Sequence, residues 1–306
     1  MEYYLVRPAY ESNEQYCIEH NINLMLSYYN DKKVAYNKFL KYREERIEKG
    51  LPNGKLFMDS GAFTAWTKGV VLKKDEYVDY INKYGHLIDH FGQMDSIPNE
   101  NSYEAVKKAA DDTWKNYLEL VEAVKYPEKI TYTFHVGEPI ENLIEALKWG
   151  SEHKDVMKLI ALGGMVRKNK VTKESFIIRS LAEVKKYYPE VKVHLFGTTS
   201  DIYFKKYNAY SGDSSNYIKT ATTGGVDTPY GTIGFGEKKD KNHYTVLTTD
   251  KKKVIDDYFK SINVNPEDLL KAAEHRLTAN IIFIENKYFK NRSISYIKGK
   301  KNTALF

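Results

Sequence analysis

Eight short apolar runs, separated by stretches of helical periodicity, constrain the fold of this chain more than any other feature. The runs cover residues 3–7, 23–28, 55–59, 91–95, 131–136, 159–163, 193–196 and 209–213. Each is the length of a buried strand and most end in polar or glycine residues. Between them, Tyr103, Val106, Ala110, Trp114, Tyr117, Val121 and Val124 share one helical face, on a helix predicted to open with an N-cap pair of Asn101 and Glu104. Phe176, Ile177, Leu181 and Val184 repeat the pattern, as do Leu143, Ala146 and Leu147. Strand, helix, strand in repeated order implies parallel pairing with right-handed crossovers. A closed barrel and an open doubly wound sheet both satisfy that order. Eight strands is the number a closed barrel requires, so the expected fold class is α/β, a (β/α)8 TIM barrel.

The alternation breaks after about residue 213. Thr222-Thr223-Gly224-Gly225, Thr228-Pro229-Tyr230-Gly231 and Gly234-Phe235-Gly236 predict a loop-rich region with a hairpin, and residues 238–241 a charged tip. Helices are expected over 251–259, after the cap and first-turn proline of Asn265-Pro266-Glu267-Asp268, and over 276–289, with a basic tail at 298–301. No internal repeat, low-complexity stretch or linker divides the chain. The expectation is one domain over 1–306, with the barrel in about 1–235 and a helical C-terminal extension in about 250–306.

A chain of 306 residues with this apolar content closes a substantial core without staples. Its single cysteine, Cys17, excludes an internal disulfide and any Cys-rich metal site, and reads as a small buried apolar residue in a reducing compartment. The N-terminal stretch has neither a basic leader nor a long apolar segment, and no stretch approaches the roughly 20 apolar residues that span a bilayer. A cytoplasmic protein with no membrane partner is expected. The net charge of +6 permits a nucleic-acid partner without showing one.

In a parallel barrel the chemistry sits at the C-terminal ends of the strands. Those points carry Asp59-Ser60-Gly61, Asp95-Ser96, His135-Val136-Gly137-Glu138, Gly163-Gly164, Gly197-Thr198-Thr199 and Gly212-Asp213-Ser214-Ser215. Each alone has a plain structural explanation: an Asp-Ser caps or turns, a glycine pair makes a tight turn, and His135 packs in the mouth. Three aspartates converging on one rim are harder to explain that way, because like charges raise one another's pKa and destabilise the fold. No phosphate-binding loop, dinucleotide fingerprint or zinc-protease helix is present. Three aspartates holding magnesium for phosphoryl chemistry is the enzymatic alternative.

The ordered set of motifs resembles the guanine transglycosylase superfamily, enzymes that exchange guanine in tRNA for a 7-deazaguanine. Asp59-Ser60-Gly61-Ala62-Phe63 is similar to the family's Asp-Ser-Gly-Gly-Phe, and Phe91-Gly92-Gln93-Met94-Asp95 to its second aspartate strand. Ala161-Leu162-Gly163-Gly164 is similar to its glycine pair, and His194-Leu195-Phe196-Gly197 to the strand before its nucleophile. Asp213 falls where the family has its nucleophilic aspartate, and Thr228-Pro229-Tyr230-Gly231-Thr232 resembles a Thr-Pro-Glu-Gly-Thr that follows it. The resemblance implies that Asp213 attacks the sugar C1′ and Asp59 moves protons on and off the purines. It implies that Asp95 takes the base's Watson-Crick edge, that Gly163 and Gly164 meet its carbonyl side, and that Phe63 stacks on its face, with Ser60, His135 and Gly197 in the same substrate-binding wall.

The departures direct the choice of substrate. The family's zinc site needs three cysteines and a histidine, and this chain has only Cys17, so apolar packing around residues 276–289 would replace that module. The family's Gln-Gly after the fifth strand is here His135-Val136-Gly137-Glu138, and these 306 residues leave no segment for the RNA-binding domain of the archaeal enzymes. Those losses resemble the DpdA-like branch of phages and bacterial modification islands, which places 7-deazaguanines such as preQ0 in DNA. By that analogy DNA is expected over tRNA as the polymer, with no cofactor and no metal, and a homodimer is allowed. Lys219, Lys238, Lys239 and Lys241 are the candidate nucleic-acid contacts. A tRNA enzyme and a non-catalytic nucleic-acid-binding barrel or partner subunit are the alternatives.

Overall fold

The computed structural model describes residues 2–31, 39–166, 168–238 and 240–290. Eight parallel strands close into a barrel in the order of the sequence: β1 (Glu2–Val6), β2 (Leu24–Ser27), β3 (Leu56–Asp59), β4 (His90–Gly92), β5 (Ile130–His135), β6 (Leu159–Gly163), β7 (Lys192–Leu195) and β8 (Ser211–Ser214). All eight expected strands are there. In chain order the helices are α1 (Glu11–Glu19), α2 (Tyr28–Asp31), α3 (Lys41–Glu48), α4 (Ala62–Thr67), α5 (Lys74–Tyr84), α6 (Tyr103–Ala123), α7 (Ile140–Glu152), α8 (Lys170–Tyr187), α9 (Asp201–Lys205), α10 (Asn216–Thr222), α11 (Thr249–Ser261), α12 (Pro266–Lys271) and α13 (Ala273–Tyr288). The described residues form two compact units. One is drawn from Met1–Val6 and Asn23–Ser214, the other from Arg7–Ile22 and Ser215–Phe306.

The first unit is the barrel with its helices. Its interior is a packed core, as the barrel architecture demands. Tyr4, Met25, Phe57 and Leu159 meet there with Phe196 and Tyr210 against them. Phe57 lies 6.0 Å from the Tyr4 ring, 5.5 Å from Phe196 and 4.9 Å from the His194 ring, so aromatic edges fill the space that aliphatic layers usually take. The N-terminal end is closed by polar groups: Lys55 pairs with Glu2, Tyr210 donates to Glu2 Oε1 at 2.7 Å, and Arg43 pairs with Asp89 at 2.7 Å. The outer helices bury one face each, α6 contributing Ala110, Trp114, Tyr117 and Val121. Its N-cap is Ser102, not Asn101 with Glu104. Ser102 holds extended backbone, its hydroxyl oxygen accepts from the Ala105 N–H at 3.2 Å, and the helix starts one residue later than the sequence pattern indicates.

The second unit has its own apolar core of Val226, Ile233, Phe235, Tyr244, Ile255, Phe259, Leu269 and Ala279. The expected hairpin is β9 (Gly225–Thr228) paired antiparallel with β10 (Gly231–Gly234), turned by Thr228 Oγ1, which donates to the Gly231 carbonyl at 2.7 Å. The three expected C-terminal helices are α11, α12 and α13, and Asn265 caps α12 by accepting from the Glu267 N–H at 3.1 Å. α1 joins this unit: Asn13 donates to Thr278 at 2.7 Å, and Glu285 accepts from Tyr16 at 2.5 Å and pairs with His20 at 2.9 Å. Cys17 is fully buried in α1, the position of a small apolar residue. Among the described residues no helix is long and apolar enough to cross a membrane. The basic stretch at 298–301 lies outside the described residues.

Candidate active site

Asp213 is set by strand periodicity. Residues two apart on a strand face the same way, so Ser211 and Asp213 of β8 both point inward, beside His194 of β7, whose register partner is Ser211. The His194 ring is wholly buried, with Nδ1 2.9 Å from Ser211 Oγ and Nε2 3.2 Å from Asp213 Oδ1. The same oxygen accepts from the Gly197 N–H at 2.9 Å. Gly197 has φ 68°, the left-handed conformation that glycine adopts without a Cβ penalty, where the chain leaves β7. Both contacts therefore fall on Oδ1, and among the described residues Oδ2 of the Asp213 side chain, itself 7 % exposed, has no donor.

Asp59 ends β3, and the backbone turns at once through Gly61, φ 72°, into α4. The turn is tight enough that a Cβ on Gly61 would stand 2.6 Å from Ser27 Oγ and 2.7 Å from Tyr29 Cβ. Its N–H donates to Asp59 Oδ2 at 3.2 Å. Burial is the chief cause that pushes the Asp59 carboxyl up to about 7, and the charges of Asp95 and Asp213 push the same way, against backbone hydrogen bonds from Gly61 and Ser60. Both other aspartates thus act on Asp59. Ser60 is fully buried, its hydroxyl accepting from the Ala62 N–H at 3.4 Å, while Phe63 is 64 % exposed on α4 with its ring 6.0 Å from Trp66.

Asp95 lies three residues beyond β4 on a loop pinned from outside. The Ser96 N–H donates to Thr113 of α6 at 2.9 Å, and Asn116 donates to the Met94 carbonyl at 3.4 Å. Its oxygens are held separately: Oδ1 accepts from Gln93 Nε2 at 3.2 Å, and Oδ2 lies 3.3 Å from His135 Nε2. His135 Nδ1 is 2.9 Å from Glu138 Oε1, and the His135 backbone N–H donates to Glu138 Oε2 at 2.9 Å. Burial lowers the His135 pKa, but Asp95 and Glu138 outweigh it and hold the imidazole well above its ordinary value, which favours its charged form. Gly163 is buried under that ring, and Gly164, φ 71°, is exposed at the rim.

The rim thus joins Asp59, Asp95, Asp213, His135, Gly163, Gly164 and Gly197 at the C-terminal ends of β3 to β8. Lys219, Lys238 and Lys241 are exposed residues of the second unit, and Lys239 lies outside the described residues. Three side chains that contact these candidate residues enter the sequence reading only as members of motifs, without a role of their own: His194, Gln93 and Glu138. A signal existed for His194, a polar residue at an inward strand position opposite the Ser211-x-Asp213 pair. Among the described residues no group of three His, Cys, Asp or Glu side chains is arranged to hold a metal ion. The arrangement offers an oriented carboxyl group, a carboxyl whose pKa is pushed up to about 7, and an acceptor site held by an imidazole. No protein-family model matches the chain, and no curated protein matches it.

Proposed function

We propose that this barrel exchanges a purine base in nucleic acid, replacing guanine in DNA with a 7-deazaguanine of the preQ0 kind through a covalent aspartyl intermediate. The observation that supports the reading best is the pairing of two unlike carboxylates on one rim. Asp213 has one oxygen held by His194 and Gly197, and Asp59 has its carboxyl pushed up to about 7. A nucleophile needs an aimed lone pair, and a proton carrier needs a pKa near the working pH.

In the first half of the reaction Asp213 Oδ2 attacks C1′ of the target nucleotide as the bond from C1′ to the guanine N9 breaks. Asp59, in its protonated form, gives its proton to the departing purine, so guanine leaves neutral and Asp59 becomes a carboxylate. In the second half the incoming 7-deazaguanine loses its N9 proton to Asp59 and attacks C1′, displacing Asp213. Two inversions restore the original configuration, as in retaining glycosidases. Asp59 ends as it began. Asp95 keeps lone pairs beyond those used by Gln93 and His135, so it still accepts N–H donors from the base edge. The exposed Phe63 ring offers a stacking face.

DNA as the polymer rests on the resemblance and on the missing cysteines, not on a groove-reading element. Labelled guanine placed in DNA or in tRNA and chased with preQ0 or other 7-deazaguanines tests the reading. Release from DNA is expected; release from tRNA alone moves the assignment to a tRNA enzyme, and no release from either leaves a binding barrel.

A further inference from the structure

The resemblance treats His135 as a residue that touches the base, and neither it nor the proposed function gives Glu138 a role. The geometry of the ring argues otherwise. An imidazole has two nitrogens, and here each faces a carboxylate: Nε2 faces Asp95 Oδ2 at 3.3 Å and Nδ1 faces Glu138 Oε1 at 2.9 Å. No ring nitrogen remains for a purine. Glu138 is itself locked, because its second oxygen accepts from the His135 backbone N–H at 2.9 Å and its side chain is 7 % exposed.

A second observation concerns Gly163, whose φ is outside the left-handed region, so its backbone does not demand glycine. Space demands it. A Cβ there would stand 2.8 Å from His135 Cδ2, 3.1 Å from His135 Nε2 and 2.9 Å from Thr133 Cγ2. The seat that Gly163 leaves open is occupied by the His135 ring.

We propose that Glu138 is a positioning residue that acts through His135 on Asp95, and that Gly163 serves this array by admitting the imidazole. The inference rests on the reading of Asp95 as the group that takes the purine edge. A carboxyl group on each side of one imidazole makes a row ending on Asp95, which is aimed by His135 on one oxygen and by Gln93 on the other. The charged groups facing His135 are Asp95 from the loop after β4 and Glu138 from the loop after β5; Asp59 faces the array through Asp95. The row gives this chain a means of fixing its base-reading carboxyl group with an imidazole.

The test uses the whole chain with 15N-labelled histidine, and two variants, Glu138→Gln and Gly163→Ala. In the unaltered protein the His135 ring nitrogens are expected to keep imidazolium shifts throughout the range from about pH 5 to 8, where a free histidine titrates. In Glu138→Gln the ring is expected to titrate within that range, and in Gly163→Ala its shifts are expected to move because the ring is displaced. In base exchange both variants are expected to raise KM for the incoming base on the order of tenfold, the size of a lost hydrogen bond to a charged group, with a smaller change in kcat. His135 titrating normally in the unaltered protein, or Glu138→Gln leaving both the titration and KM unchanged, overturns the proposal. Exchange absent from every form, with the titrations as expected, leaves the array standing and removes the base-exchange reading instead.

Discussion

His194 Nε2 and Asp213 Oδ1 stand 3.2 Å apart across neighbouring strands, and the other nitrogen of that buried ring is 2.9 Å from Ser211 Oγ. The three side chains form one row because Ser211 and Asp213 share the inward face of β8 and His194 sits opposite Ser211 in the register. Removing the middle member should therefore be felt at Asp213. His194→Ala is expected to slow the chemical step of exchange about ten- to a hundredfold, the range for a hydrogen bond to a charged group. Single-turnover kinetics at saturating base would measure it. Ser211→Ala, one step further out, should cost less.

Asp59 joins activity to stability with opposite signs. Its folded value of about 7 stands above the ordinary 3.8, so between those pH values the folded protein holds a proton that the unfolded chain has released. The contribution of this site to stability therefore falls as pH rises through that window, and the cost is complete above it. Asp59→Asn should abolish exchange and yet stabilise the protein by on the order of 2 to 4 kcal/mol at about pH 8, with little change at about pH 3.5. Thermal melts of the two forms across pH would check the sign. A variant that is less stable at the higher pH would contradict the account of Asp59.

Gly61 sits where the working loop can be broken without touching a titratable group. Its left-handed backbone and the 2.6 Å approach to Ser27 Oγ leave no room for a methyl group. Gly61→Ala is expected to destabilise by about 1 to 3 kcal/mol and to move the N–H that Asp59 Oδ2 accepts. Denaturant unfolding and the pH profile of exchange should both shift.

The strands were legible because a barrel strand buries both faces, so each reads as a short apolar run, and the polar residues that follow mark its C-terminal end. The cap of α6 was missed by one residue because Asn101 and Ser102 both carry a suitable oxygen, and backbone conformation at Ser102 decides between them. His194 and Gln93 were read as parts of motifs and not as groups with tasks, since their partners lie on neighbouring strands and loops, Asp213 being 19 residues from His194. The membership of α1 in the second unit was not legible, because it rests on contacts such as Asn13 with Thr278, 265 residues apart. His135 was visible at its strand end, but its engagement of both nitrogens depends on the loop that returns Glu138 to it.

Phosphoryl chemistry on magnesium predicts a different response to chelation. Base exchange driven by Asp213 and Asp59 needs no cation, so exhaustive chelation is expected to leave the exchange rate unchanged within error. Loss of activity on chelation, restored by magnesium, would favour three aspartates acting as cation ligands.

Covalent attachment of Asp213 to the sugar is read out by intact-mass analysis of the protein after incubation with a guanine-containing oligonucleotide in the absence of incoming base. A denaturation-resistant adduct of protein plus oligonucleotide minus guanine is expected, mapping to Asp213 by peptide analysis and missing in Asp213→Asn. An adduct on another residue, or base exchange that persists in Asp213→Asn, would contradict it.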